Sequence, residues 1–429
     1  MSKKTEKIIV TCHTAPNIAL IKYWGKSNEE LILPLNGSIS ITLDSDVLCT
    51  KTTLMLSQKS ENETNIQITF WLNNKKQIFQ NSLLAEKESS SKEDIINKKR
   101  FFTMLNKVRS NCLLENPGLY NIKICSRNNF PTACGLASSA SGFACLAQVL
   151  SYGYGYKGDI SELARLGSGS ACRSCFGGFV KWSSGLNSEQ SIASMLFPSN
   201  HWTNLNVLAL VLEDGRKDVS STHGMRETVL TSELLQTRIK LVESKRLNEM
   251  ETYLKTKDFN SMAKLIISDS NNFHACCMDT YPPLFYLNDK SKEIIHLVNK
   301  FNKSEANKDE LKAAYSFDAG PNAFIFVLDE NLSDFLFLIY KIYFSHLSES
   351  AFLEEKLFYN KEQEISMDKA RKELIKSNFS GLMLTHTSDS FTLKYMIHSK
   401  VGQGSKVFRD CWENSLINED GEPNISTKY

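Results

Sequence analysis

The chain opens with short β-like patterns. Ile66, Ile68 and Phe70 alternate with polar neighbours across Ile66–Trp71, and Ile8–Thr11 and Ser38–Leu43 are rich in β-formers. Tyr120, Ile122 and Ile124 alternate again, a Gly/Ser-rich turn follows, and Ala140–Leu150 has helical character. A second helix over Ser161–Arg165 leads to another Gly/Ser turn, and Gly177-Gly178 opens a strand over Phe179–Trp182. Val207–Leu212 reads as a buried strand. Helices dominate 227–301 with a break at Pro282-Pro283, Phe324–Leu328 is a wholly apolar strand, and the remainder to residue 375 is mostly helical in pattern. Polar tracts over Gln58–Asn65 and Ala85–Arg100 read as solvated loops or a helix start. Strands and helices mix without strict alternation and without an internal repeat, which predicts an α+β fold. A boundary near residue 205 divides it into lobes 1–205 and 206–429.

Composition narrows the chemistry by exclusion. With 429 residues, 41% hydrophobic and 23% charged, the chain can bury a substantial core. Fifty basic residues against 48 acidic leave a formal charge of +2, so nothing in the overall balance favours nucleic acid or an anionic membrane. Any anionic ligand must be held by a local site. Met1–Lys7 carries no apolar targeting core, and Phe335–Phe344, broken by Lys341, falls short of a bilayer span, so a soluble cytoplasmic protein is expected. Eleven scattered cysteines read as reduced thiols. Cys172-Arg173-Ser174-Cys175 has no second pair to complete a zinc site, and His274, Cys276 and Cys277 read as interior residues, so no metal-ligand set is expected from side chains.

Five polar segments stand out. Pro131-Thr132-Ala133-Cys134-Gly135-Leu136-Ala137-Ser138-Ser139-Ala140-Ser141-Gly142 lies between a strand and a helix, where free backbone N–H groups and the helix dipole suit a phosphate. Ordinary helix capping explains the same serines, and the Gly-Lys-Ser/Thr ending of a Walker loop is missing. Ala15-Pro16-Asn17-Ile18-Ala19-Leu20-Ile21-Lys22-Tyr23-Trp24-Gly25-Lys26 puts Lys22 and Lys26 on one face only if helical; a strand end with solvated lysines is the plain alternative. Gly167-Ser168-Gly169-Ser170-Ala171-Cys172-Arg173 combines flexible glycines with an arginine fork able to grip a carboxylate, or is a surface turn. Asp318-Ala319-Gly320-Pro321-Asn322 is good turn chemistry at a strand end, where a carboxylate can project into a cleft. Asp218–Met225 reads as an N-cap cluster before a helix.

Together, in this order and over nearly the whole chain, these segments resemble the diphosphomevalonate decarboxylases of the GHMP kinase superfamily. Asn271-Asn272-Phe273-His274 and Asp279–Pro283 resemble a further family segment, assigned here to architecture with His274 a satisfied interior residue. The resemblance implies an N-terminal lobe like ribosomal protein S5 domain 2 and a ferredoxin-like C-terminal lobe around a deep cleft. It implies ATP and Mg²⁺, mevalonate 5-diphosphate as substrate, a homodimer, and a place in isoprenoid and sterol biosynthesis. Residue by residue it implies an ATP loop at Gly135, Leu136, Ala137, Ser138 and Ser139, and substrate contacts from Asn17, Tyr23, Trp24, Ser168, Ser170 and Ser221. Asp318 is the expected catalytic carboxylate, Lys22 its cationic helper, and Arg173 the clamp on the departing carboxylate.

That chemistry suits the residue types. Hydroxide leaves poorly, so ATP first phosphorylates the tertiary hydroxyl; loss of phosphate and CO₂ then leaves the double bond. Phosphoryl transfer asks mainly for alignment and charge stabilisation. Two rivals share the sequence features: a GHMP kinase that stops after phosphorylation, and a catalytically silent member that only binds ligand.

Overall fold

The computed structural model describes residues 7–424 except 61–62, 64, 74, 80–91, 131–137, 216, 304–308 and 345–392. It is an α+β fold of three larger sheets. The first has six strands in the order Lys406–Arg409, Lys7–Thr14, Thr50–Gln58, Tyr120–Asn128, Ile68–Leu72 and Lys75–Phe79. All neighbours are antiparallel except the parallel pair of Ile68–Leu72 with Tyr120–Asn128. Alternation decides its faces. Val10, Cys12, Leu54, Leu56, Ile122 and Ile124 pack on the helices Lys92–Ser110 and Ser138–Tyr154, while Met55, Trp71 and Cys125 on the other face meet Leu416 and Ile417.

The second sheet runs Ala193–Phe197, Phe179–Trp182, Ser38–Thr42, Asn17–Ile21, and the third Ala313–Phe317, Ala323–Leu328, Leu205–Val211, Tyr395–Lys400. Leu205–Val211 is buried at every position, as its apolar sequence demands. Its odd-numbered residues Val207, Ala209 and Val211 share a core with Ile18, Leu20, Ile39 and Ile41 of the second sheet. Leu208 and Leu210 turn the other way, onto the helices Asp289–Asn302 and Asp329–Ile339. One apolar core therefore joins the second and third sheets, and the surroundings of Asn17–Ile21 are rigidly tied to those of Ala313–Phe317.

One expectation changes. The end of the chain, expected in the second lobe, returns to the first: Lys406–Arg409 pairs antiparallel with Lys7–Thr14. A four-residue segment reading Lys-Val-Phe-Arg carries no pattern that would announce a strand. The Ala85–Arg100 tract, expected as a solvated loop or a helix start, is a helix start where it is described, from Lys92. Most of the predicted helical stretch to residue 375 lies outside the described residues; within them it holds Asp329–Ile339 and the π-turn Tyr340–Phe344.

Candidate active site

Lys22 follows directly on the strand Asn17–Ile21, so of the two readings of this segment the strand end is the one observed, but the lysine is not solvated. It is 3% exposed, and its Nζ donates to Asp318 Oδ1 at 2.6 Å while the aspartate side chain keeps 33% of its surface open. Burial pulls the Lys22 pKa down; the Asp318 carboxylate, the hydrogen bond to it and Asp269 pull it back, and the Arg173 charge adds to the lowering. Asp318 is held in place by the rest of its turn. Asn322 Oδ1 accepts from the backbone N–H of Leu212 and of Glu213 at 2.8 and 3.0 Å, its amide donates to the Glu213 carbonyl, and Ser291 Oγ donates to the Pro321 carbonyl.

Arg173 is also 3% exposed. It lies in the short helix Ala171–Ser174, and its charge is met by neutral partners. Nε donates to Asn17 Oδ1 at 3.3 Å, one terminal nitrogen donates to Ser38 Oγ at 2.6 Å, and the guanidinium stands over the Trp182 ring, 5.8 Å from its centroid. Burial lowers its pKa, while Cys172 and Asp318 oppose that shift. Lys22, Arg173 and Asp318 thus feel one another's charge, although they come from three distant parts of the chain. A guanidinium has five N–H donors, and the protein side chains named here engage two of them.

Asn17 is held by three protein hydrogen bonds. Its amide donates to the Ser170 carbonyl at 2.9 Å and to Ser174 Oγ at 2.7 Å, and its oxygen receives Arg173. This geometry makes it a positioner of Arg173. Trp24 is also engaged by protein. Its indole N–H donates to Thr228 Oγ1 at 3.0 Å, and its ring packs edge-on against Phe273 and Tyr286 inside a small core. Tyr23 stands nearer the chemistry: its ring meets Trp182 edge-on at 4.7 Å, and its buried hydroxyl has no hydrogen-bond partner among the described residues. Burial, followed by Glu29, raises its pKa, against Arg100 and Arg173.

The serines divide. Ser168 and Ser170 are half-buried around the Gly169 turn, where Tyr23 and Trp182 crowd the glycine. Ser220 caps the helix Ser221–Thr231, and Lys217 Nζ donates both to Ser221 Oγ at 3.0 Å and to the Ala319 carbonyl at 2.7 Å. The Ser221 turn is thereby stapled to the residue after Asp318. Ser138 and Ser139 begin the helix Ser138–Tyr154, half-buried and exposed respectively; Gly135, Leu136 and Ala137 lie outside the described residues. His274 is buried, but it is not fully satisfied, because Nε2 has no partner among the described residues. Burial and the nearby Lys22 charge depress its pKa to about 3. Sequence reasoning missed Ser38, Trp182, Lys217 and Asp269, which look like ordinary strand, turn and helix residues until the chain is folded.

Comparison with known proteins identifies the family. Residues 14–193 match the diphosphomevalonate decarboxylase-like N-terminal domain, and residues 207–408 match the mevalonate 5-diphosphate decarboxylase C-terminal domain. The chain belongs to the diphosphomevalonate decarboxylase family. A rat diphosphomevalonate decarboxylase is 38% identical over 435 residues, covering 98% of each chain. The mevalonate diphosphate decarboxylase of Trypanosoma brucei superposes with a TM-score of 0.77 at 32% identity, covering 93% of this chain and 98% of that one. A further relative, MDDEF, was solved in complex with MVAPP, AMPPCP and magnesium; it has a TM-score of 0.69 and 29% identity, and the match covers 94% of this chain and 99% of that one. These decarboxylases have the GHMP kinase fold, so the α+β architecture described above is that fold.

Proposed function

We propose that the chain converts mevalonate 5-diphosphate to isopentenyl diphosphate, using ATP and releasing ADP, phosphate and CO₂. One observation carries the assignment of roles: two buried cations, Lys22 and Arg173, share a charge cluster with a single partly open carboxylate, Asp318. Asp318 orients the tertiary hydroxyl of the substrate and takes its proton as the phosphoryl group arrives. Lys22, already bonded to Asp318, fixes that carboxylate and offsets negative charge growing beside it. The free N–H groups of Arg173 grip the substrate carboxylate until its carbon–carbon bond breaks and the electron pair forms the alkene as phosphate leaves. Ser168, Ser170, Ser221 and Tyr23 supply donors to the diphosphate and hydroxyl region. Gly135 to Ser139 form the ATP phosphate turn ahead of the helix from Ser138.

Among the described residues no cluster of three His, Cys, Asp or Glu could hold a metal ion by itself. Asp318 and the Ser138 hydroxyl are hard oxygen donors, which suit Mg²⁺ carried on the nucleotide rather than caged by protein. When bound, the ion would draw off charge from the transferred phosphoryl group. Lobes 1–205 and 206–405 would flank the substrate, with the chain end added to the first. No helix among the described residues is long and apolar enough to cross a membrane. A cytoplasmic homodimer is the assembly we assign, and light scattering on the purified chain tests its size.

The deciding experiment measures ADP and labelled CO₂ together from mevalonate 5-diphosphate. Equal release supports the assignment, whereas ADP without CO₂ makes the chain a kinase and tight ATP binding without turnover makes it a silent binder. Asp318→Asn and Asp318→Ala should each lose several orders of magnitude in kcat with modest change in KM. A full-rate Asp318→Asn enzyme removes that residue from the mechanism.

A further inference from the structure

We propose that Asp269 and Ser270, adjacent residues of the helix Phe259–Met278, are positioning residues that hold Lys22 and Asp318 in register with each other. The inference rests on reading Lys22 and Asp318 as the reacting pair. The helix lies in the corner between the second and third sheets, touching both Asn17–Ile21 and Ala313–Phe317. Successive helical residues point about 100° apart, so two neighbours can reach two different strands.

Asp269 reaches Lys22. Its Oδ2 accepts the Lys22 backbone N–H at 2.7 Å. The Lys22 carbonyl accepts from Arg238 at 2.9 Å and from the Asn36 amide at 3.0 Å. Lys22 stands just beyond the end of its strand, where ladder pairing stops at Ile21, so these side chains replace the sheet in fixing its backbone. Ser270 reaches the other partner. Its Oγ accepts the backbone N–H of Phe317, the residue before Asp318, at 3.0 Å. Phe317 ends a strand that is an edge among the described residues, where its outward backbone groups have no neighbouring strand. The same helix also meets that strand through His274, whose ring stands edge-on to Phe317 with centroids 6.3 Å apart, and Asn271, which accepts the Tyr315 hydroxyl at 3.1 Å.

Stability alone is a weak reason for this arrangement. Asp269 is fully buried between Arg238 and Arg246, with Arg238 binding both carboxylate oxygens at 3.0 Å and Arg246 binding one at 2.8 Å. Buried ion clusters of this kind are often no more stabilising than well-packed apolar residues. What the cluster does provide is a fixed direction for Oδ2 and for the Arg238 fork, both aimed at the Lys22 peptide. One rigid helix therefore sets the separation between the ammonium and the carboxylate that meet at 2.6 Å.

The test compares Ser270→Ala, Ser270→Thr and Asp269→Asn with Asp318→Asn, measuring kcat and both KM values on the full chain, with circular dichroism to report the folded fraction. Misplacing a reacting group by about 1 Å costs up to about 100-fold. We expect Ser270→Ala to lose about tenfold in kcat and Asp269→Asn about 100-fold, with KM values nearly unchanged and Ser270→Thr recovering most of the rate. Folded Ser270→Ala and Asp269→Asn enzymes with wild-type kcat would overturn the proposal, as would losses that only track the folded fraction. If Asp269→Asn fails to fold, Ser270→Ala and its threonine rescue decide. A dead Asp318→Asn enzyme beside normal clamp variants defeats the clamp alone; an active Asp318→Asn enzyme defeats the underlying reading of the pair.

Discussion

Replacing Arg173 by lysine keeps the charge and removes the fork. The guanidinium is placed by Nε on Asn17, by a terminal nitrogen on Ser38 and by the Trp182 ring face. A lysine at this position carries its three donors on one nitrogen, so it cannot reproduce the separate Nε and terminal-nitrogen contacts to Asn17 and Ser38 while also gripping a carboxylate in two parallel bonds. Each hydrogen bond to a charged group is worth roughly 1.5–3 kcal/mol. One lost to the protein and one to the substrate sum to roughly 3–6 kcal/mol, and water entering the vacated space offsets part of it. Taking the lower end, about 3 kcal/mol, the loss in kcat/KM is about two orders of magnitude. The assay follows ADP and labelled CO₂ in the same quenched samples. Because Arg173 is assigned to the carboxylate and not to the phosphoryl group, CO₂ released per ADP should also fall below one in Arg173→Lys. A lysine enzyme with wild-type kcat/KM and matched CO₂ and ADP would refute the clamp.

Three further outcomes follow from local geometry. A Cβ on Gly169 would come within 2.9 Å of the Tyr23 ring and 3.0 Å of Trp182, so Gly169→Ala should raise KM for mevalonate 5-diphosphate more than it lowers kcat; an unchanged KM would separate Tyr23 from the substrate. Asn17→Ala should imitate Arg173→Lys in kcat, since its side chain acts through the arginine, and an additive double variant would contradict that. Burial, assisted by Lys400, holds the buried His398 at a pKa of about 4, below its ordinary value of 6.5. The unfolded chain therefore takes up that proton first, and stability falls as pH drops from 6.5 towards 4, by about 2 kcal/mol at pH 5. His398→Gln should flatten the pH 7-to-5 loss in unfolding free energy, read from urea titrations, by nearly that amount, and an identical loss in both proteins would contradict the assignment.

The parts of the fold legible in the sequence are those whose cause is local. Tyr120–Asn128 alternates because one face meets helices, and Leu205–Val211 is continuously apolar because both faces are covered. The turn before Ala323 was readable from Asp-x-Gly-Pro. Family resemblance points to Lys22, Arg173 and Asp318 in the sequence, and the structure brings these three together, but their supports were not legible. Nothing local to Asn17 reveals that its three hydrogen bonds end on residues more than 150 positions away. Ser38 looked like strand filling, and Asp269 like any helical carboxylate, because their partners are set by the meeting of two sheets. Nor does the sequence around Trp24 show that its side chain, next to Tyr23, packs into a small core.

The electrostatics of the site bear on which reaction the fold is built for. The whole chain is nearly neutral, yet two cations are buried beside one carboxylate, so the folded protein carries a local positive excess out of water. Keeping it there is unfavourable without an anion, and interactions made in such a site are stronger than at the surface. The substrate brings a diphosphate and a carboxylate, which recover that energy on binding. An enzyme that only moved a phosphoryl group would need Lys22 and Asp318, which meet directly. Among the described residues Arg173 is met by the neutral groups of Asn17, Ser38 and Trp182, whose bonds leave other N–H donors of its fork unengaged. The role proposed for those donors is a grip on the carboxylate that is lost, a group that phosphoryl transfer alone does not require to be held.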